Sequence, residues 1–200
     1  MGSGSSPAFK NEIARNIGEL DLLIEEILLA SRLDAREADL GTIESVDLIG
    51  MAAEECARVG AELEVLPGSE QTDSVLSVHG VAKLLRRVMR NLLENARRHA
   101  AGEITVTLSR TDTRAVIQVG DRGPGVPVEL RERIFEPFYR LPGATERDGG
   151  VGLGLALVKS IAIRHGGTVQ CENRPDGGAC FVVSLPLGAV GASELLSKGT

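Results

Sequence analysis

Tryptophan is absent from this chain of 200 residues, and its aromatics are limited to one tyrosine and four phenylalanines. A groove that stacks unpaired bases on aromatic platforms is therefore excluded. The charge balance agrees, because 22 Lys and Arg stand against 28 Asp and Glu for a net charge of -6, with no basic run to track a phosphate backbone. Cysteine is also scarce. Cys56, Cys171 and Cys180 form no CxxC pair and are odd in number, which argues against a zinc site or a disulfide framework and fits a reducing compartment. No apolar run reaches the ~20 residues needed to span a bilayer. The opening Met1-Gly-Ser-Gly-Ser-Ser6 resembles an expression leader more than a signal peptide. What remains is 42% hydrophobic and 25% charged, a globular composition with room for one sizeable domain plus an appendage.

The appendage comes first. From Pro7 to Asp34, Ile13, Ile17, Leu20, Ile24 and Ile27 recur at spacings of four and three, a heptad-like helical seam widened by Leu23, Leu28 and Leu29. Glu12, Arg15, Glu19, Glu25, Glu26 and Arg32 form its charged outer side. Such a helix either packs on its own domain or belongs to a bundle completed by another segment or chain. Residues 35–43, with Gly41, form a linker, and a second domain is expected over 44–187.

Within that domain, Val46 to Val59 and Val81 to Ala100 read as helices, and Leu63 to Leu66 and Ser74 to Val78 as short strands. Glu103 to Ser109 and Ala115 to Gly120 alternate as paired strands, Val128 to Ile134 is a short helix, and Leu141 to Gly150 a loop. Thr168 to Asn173 and Ala179 to Leu185 form a hairpin around Pro175-Asp176-Gly177-Gly178. The tail, residues 188–200, is small and polar. Hairpin-paired strands with intervening helices predict an α+β, two-layer sandwich with its helices on one face.

Four stretches are candidates for chemistry. Asp148 to Gly167 runs from a glycine cluster, Gly150, Gly152 and Gly154, straight into an amphipathic helix. Glycine lets backbone approach a polyanion, and free amides at the helix start point toward it; a plain turn has the same composition. On the helix from Val81, Asn91 and Asn95 lie one turn apart with Arg98 near the same line, at the edge of the stripe Leu84, Val88, Leu92 and Ala96. Amide oxygens there suit magnesium, although helix-surface polarity is the plainer reading. Asp121-Arg122-Gly123-Pro124-Gly125 places a carboxylate at a strand end, able to accept from an exocyclic amine, or else simply turns the chain. Ile134 to Arg140 carries three of the five aromatics and reads as a packing anchor.

In order and spacing, ENARRHA, DRGPGVP, IFEPFYR and GGVGLGLALVKSIAIRHGG resemble the N, G1, F and G2 boxes of the sensor histidine kinase catalytic domain, a Bergerat-type ATP-binding fold. ELDLLIEEILLASRLD resembles the second helix of the dimerisation and phosphotransfer domain that precedes it in the family.

The resemblance implies ATP and Mg2+ as cofactors. It gives Asp121 the adenine amine, Gly123 and Gly125 the purine pocket, and Asn95, helped by Asn91, the metal. Arg98 and His99 fall where the family contacts phosphate or ribose. Gly150, Gly152, Leu153 and Gly154 close the phosphate site, and Leu141 to Gly149 form its lid. Arg140 and Arg147 are candidates for the γ-phosphate, so the catalytic set is Asn91, Arg98 and Arg140. Lys159 reads instead as a surface residue, and His165 as the end of its helix.

Relatives that activate water or serine carry a Glu where Asn91 stands, and an amide is no base at neutral pH. Glu94, next to Asn95, is expected to point about 100° away. This favours the histidine kinase branch over an anti-sigma-type serine kinase or a degenerate nucleotide-sensing scaffold. His79, His99 and His165 do not stand in the family's acceptor pattern HE(L/I)R(T/S)P. The phosphoacceptor is therefore expected on another segment. The implied partners are ATP or ADP, that histidine-bearing bundle helix, a response regulator receiver domain and a second subunit, in the cytoplasmic portion of an inner-membrane sensor. Nucleic acid is not among them.

Overall fold

The computed structural model describes residues 7–35, 37, 40–66, 76–99, 102–141 and 151–187. Its elements are α1 (Pro7–Asp34), β1 (Glu44–Asp47), α2 (Leu48–Val59), β2 (Glu62–Val65), β3 (Ser77–Gly80), α3 (Ala82–His99), β4 (Thr105–Arg110), β5 (Arg114–Gly120), α4 (Gly154–Arg164), β6 (Thr168–Asn173) and β7 (Ala179–Pro186). A five-stranded sheet runs β2-β4-β5-β7-β6, parallel between β2 and β4 and antiparallel elsewhere. A separate antiparallel pair joins β1 to β3.

Period-two alternation decides which sheet face is covered. Val106 and Leu108, then Ala115, Ile117 and Val119, then Phe181, Val183 and Leu185 are buried, whereas Thr107, Gln118 and Ser184 between them are only half-buried. α2, α3 and α4 supply the other layer, as the α+β expectation required. α3 turns Leu84, Leu85, Val88, Met89, Leu92, Leu93 and Ala96 inward. Phe135 meets Phe181 edge to face at 6.3 Å, anchoring the segment after β5 on the sheet.

Several boundaries differ from the sequence expectation. Val46 and Asp47, expected at the start of a helix, end the strand β1 instead. Asp47 begins α2 by accepting the Ile49 amide at 2.9 Å, a side-chain cap that the apolar period through Val46 conceals. Val128 to Ile134 is two 3-10 turns, Val128–Leu130 and Arg133–Phe135, in place of one helix. The second early strand begins at Ser77.

Two polar clusters fix the helices to one another. Glu55 on α2 is 2% exposed and accepts from Arg86 at 2.8 Å and from both Nε and Nη2 of Arg90 at 2.8 and 3.2 Å. Burial pushes its carboxyl up, but the Arg90 and Arg86 hydrogen bonds outweigh that and hold it below its ordinary value. His165 ends α4, as expected, and also ties it to α3. Its Nε2 accepts from the Val81 amide at 3.1 Å, so the ring proton is on Nδ1, 2.8 Å from the Ile161 carbonyl.

α1 lies against this body only toward its C-terminal end. Leu33 is buried, and Leu29 and Ala30 pack on the core. Glu26 departs from the expectation of a solvated outer side, because its Oε1 accepts from Arg87 Nη2 at 2.9 Å and both side chains are about three-quarters covered. The predicted seam faces outward: Ile13, Ile17, Leu20, Ile24 and Ile27 are all exposed.

Candidate functional site

Between α3 and α4 lies a cleft whose floor is the start of β7 at Ala179 and Phe181. Asp121, one residue past β5, is buried at its base. Oδ1 accepts the amides of Gly123 at 2.8 Å and Ala179 at 3.1 Å, while the Asp121 amide donates to the Ala179 carbonyl at 2.9 Å. Two backbone donors thus saturate one oxygen, and Oδ2 keeps its lone pairs for a donor in the cleft. This placement depends on Gly178, where φ is +97° and an added Cβ would lie 2.0 Å from the Asp121 carbonyl. Only glycine lets the hairpin turn pass so close. Asn173 is a second support, with Oδ1 accepting the Val126 amide at 2.9 Å and lying against Gly125.

The opposite wall belongs to α3. Asn91 is buried, and its Nδ2 donates to the Gly154 carbonyl at 3.0 Å, which leaves Oδ1 as an uncommitted hard acceptor. Asn95, half-buried, and the exposed Arg98 and His99 follow along the same wall. Glu94, expected to point away, also lines the cleft.

α4 begins without a side-chain cap at Leu153, and its start borders the cleft through Gly152, Gly154 and Leu155. The glycine at 152 is required by conformation: φ is +81°, and a Cβ would lie 2.9 Å from the Phe138 carbonyl carbon. The Phe138 amide in turn donates to the Gly152 carbonyl at 3.0 Å, with Phe138 itself at φ 63°. This lashes the Ile134 to Arg140 segment to the start of α4.

Of the sequence candidates, Asn91, Asn95, Arg98 and His99 thus share the cleft with Asp121 and Gly125, and Arg140, Gly152 and Gly154 join them. Gly123 contributes its amide to Asp121 and passes beneath the end of α3. Leu153 is buried and, unlike its neighbours Gly152 and Gly154, is not among the residues that line the cleft. Gly150, Arg147 and most of the predicted lid lie outside the described residues. Lys159 is half-buried with Nζ 5.9 Å from the Phe135 ring, away from the cleft. Sequence reasoning missed Glu26, which lines the cleft from α1, and the supports Asn173 and Gly178. Only the strained turn Asp176-Gly177-Gly178 offered a signal in advance.

Among the described residues no group of three or more His, Cys, Asp or Glu could hold a metal ion. A cation here would rely on amide oxygens and on its ligand's own oxygens, the usual situation for magnesium held with a polyphosphate. Asn91 and Asn95 fit that donor set.

A two-layer sandwich with an uncapped helix start facing a buried carboxylate across one cleft defines a nucleotide-binding ATPase fold. Residues 80–189 match the family of histidine kinase-, DNA gyrase B- and HSP90-like ATPases, and the chain belongs to that family, in its sensor histidine kinase branch. It is 39% identical over 192 residues to the sensor protein RstB of Escherichia coli (strain K12), covering 94% of this chain and 43% of that protein. It is 32% identical to the signal transduction histidine-protein kinase AfsQ2 of Streptomyces coelicolor, covering 84% of this chain and 30% of that one. The chain therefore spans less than half the length of either relative. Among solved structures it resembles the mycobacterial sensor histidine kinase MprB, with TM-score 0.61 and 29% identity over 74% of this chain and 99% of that one. Full-length ShkA in complex with AMPPNP gives TM-score 0.70 at 26% identity, over 95% of this chain and 41% of that one.

Proposed function

We infer that this chain holds Mg2+-ATP along the cleft, adenine at Asp121 and phosphates at the start of α4, and donates the γ-phosphoryl to a histidine on a separate helical segment. The observation that carries this reading is the buried Asp121 carboxylate at the base of the cleft, with one oxygen saturated by the Gly123 and Ala179 amides and the other without a partner among the described residues. An exocyclic amine fits that acceptor. At the far end the start of α4, which has no side-chain cap, suits a polyanion, and an ATP analogue is the ligand named for the similar ShkA.

Magnesium, when bound with the nucleotide, supplies charge neutralisation, and Asn91 Oδ1 with Asn95 would hold it. Arg98 and Arg140 add positive charge along the cleft, and Gly123 and Gly125 let the backbone turn beneath a flat ring. Asn91 cannot take a proton, so these residues bind and orient without activating a nucleophile. His165 has both ring nitrogens bonded within the fold, which removes it as an acceptor.

In this reading residues 7–34 are the second helix of a dimeric bundle, 35–43 its linker and 44–187 the catalytic domain. The parent protein is a homodimeric inner-membrane sensor whose cytoplasmic part passes phosphate to a receiver domain. Among the described residues no helix is long and apolar enough to cross a membrane. None of the relatives above supports the serine kinase alternative. The test is to incubate the chain with γ-labelled ATP, with and without a separate histidine-bearing helical hairpin. Acid-labile label is expected on the hairpin only. Label on His79, His99 or His165, or none on the hairpin of a related sensor kinase, would refute the reading.

A further inference from the structure

Among the described residues Glu26 is the one cleft residue contributed by α1, and the helices fix its position along the cleft. The His99 carbonyl, at the end of α3, lies against Gly123 and so marks the Asp121 end. Asn91, bonded to Gly154, marks the α4 end. Those two α3 residues are eight positions apart, about 12 Å along the axis. Arg87 lies one turn further from Asp121 than Asn91 does, and Arg87 is the residue that holds Glu26. The packing of α1 on α4 agrees. Arg164, at the far end of α4, donates to the Glu37 carbonyl just past α1 at 2.7 Å, so the C-terminal ends of the two helices lie together, the helices run in the same direction and Glu26 comes level with the start of α4. A carboxylate therefore sits where the nucleotide's phosphates would lie.

We propose that Glu26 sets which nucleotide the site prefers: held by Arg87 at the phosphate end, its negative charge opposes each additional phosphate and biases the α1-docked chain against the triphosphate. This rests on reading the cleft as an adenine nucleotide site. Three further residues act on the same potential. Glu94 adds a third carboxylate to the cleft lining, beside Glu26 and the Asp121 at its base, and Arg98 and Arg140 oppose them. Arg87 compensates Glu26 incompletely for an incoming anion, because Glu26 lines the cleft whereas Arg87 stands behind it, outside the lining. By linkage the effect is reciprocal, so filling the phosphate end weakens the hold of the domain on α1. Glu26 thereby couples the bundle helix to the state of the nucleotide.

Calorimetry of AMP, ADP and ATP with Mg2+ on the full chain and on Glu26→Gln tests this. The variant should bind ATP roughly three- to tenfold more tightly, ADP less so, and AMP unchanged, with the gain shrinking as salt is raised. Arg87→Gln breaks the same pair but keeps the carboxylate, and should show no gain for ATP. An equal gain for all three nucleotides, no gain, or a loss for ATP in Glu26→Gln overturns the proposal. So does an Arg87→Gln gain matching that of Glu26→Gln, since release of the helix would then explain both. If the unaltered chain binds none of the three, the nucleotide reading itself fails, and that is seen before any variant is made.

Discussion

Replacing Asp121 with asparagine alters chemistry while keeping shape, and the structure dictates which way the new amide points. Oδ1 accepts the Gly123 and Ala179 amides at 2.8 and 3.1 Å, so the asparagine oxygen must take that place. Its amino group then replaces Oδ2 in the cleft. Adenine presents an amine at the position where hypoxanthine presents a carbonyl. The variant should therefore set donor against donor for ADP and donor against acceptor for IDP. Losing a hydrogen bond to a carboxylate costs about 1.5–3 kcal/mol, roughly ten- to 150-fold in affinity, and the unpaired donor adds to that. The fold should lose only about 1 kcal/mol, because both backbone bonds survive to a neutral acceptor. Calorimetry with both nucleotides, alongside thermal melts, measures each quantity. A folded variant with unchanged ADP affinity, or equal losses for ADP and IDP, would refute the placement of the purine at Asp121.

Gly152→Ala should lower the melting temperature and weaken nucleotide binding, because φ is +81° and the new Cβ would press on Phe138 at 2.9 Å, a left-handed cost of about 1–2 kcal/mol before the clash. Gly154→Ala, whose Cβ would meet Asn91 at an ordinary 3.8 Å, is the control, and equal effects would contradict the account. Stability should also depend on pH through His165. Burial lowers its pKa, despite the Ile161 hydrogen bond, so the unfolded chain takes up a proton first. The contribution is complete above the ordinary value of 6.5 and is lost as pH falls through it toward the lowered folded value. Urea melts from about pH 7.5 to pH 5 should show this fall, and His165→Gln, which keeps an acceptor for Val81, should flatten it. A wild-type curve flat over that range would remove His165 as the cause. Finally, the exposed seam Ile13, Ile17, Leu20, Ile24 and Ile27 should drive association at roughly 25 cal/mol per Å² covered. Light scattering should find oligomers that disappear in a chain beginning at Gly41, whereas a monomer at all concentrations would show the seam tolerates water.

The difference between Glu25 and Glu26 shows where sequence reasoning reaches its limit. Helical periodicity identifies α1, whose bounds match the structure, and four ordered motifs bring Asn91, Asn95, Asp121, Gly152 and Gly154 to one cleft, because local spacing and backbone demands are written locally. Adjacent glutamates in a charged stretch carry no such label. Glu25 is exposed and Glu26 is not, and the cause is Arg87, 61 positions later on another helix. Gly178 is a similar case: hairpin chemistry predicts a turn there, but only the tertiary path of Asp121 makes the missing Cβ indispensable. Residues that act directly on a ligand tend to sit in motifs, since the ligand's chemistry restricts their type. Residues that hold those motifs in place answer to neighbours remote in sequence, and two of them here, Asn173 and Gly178, come from a hairpin read as plain scaffold. Weakening that hairpin should therefore impair purine binding even though Asn173 and Gly178 themselves lie outside the lining of the cleft.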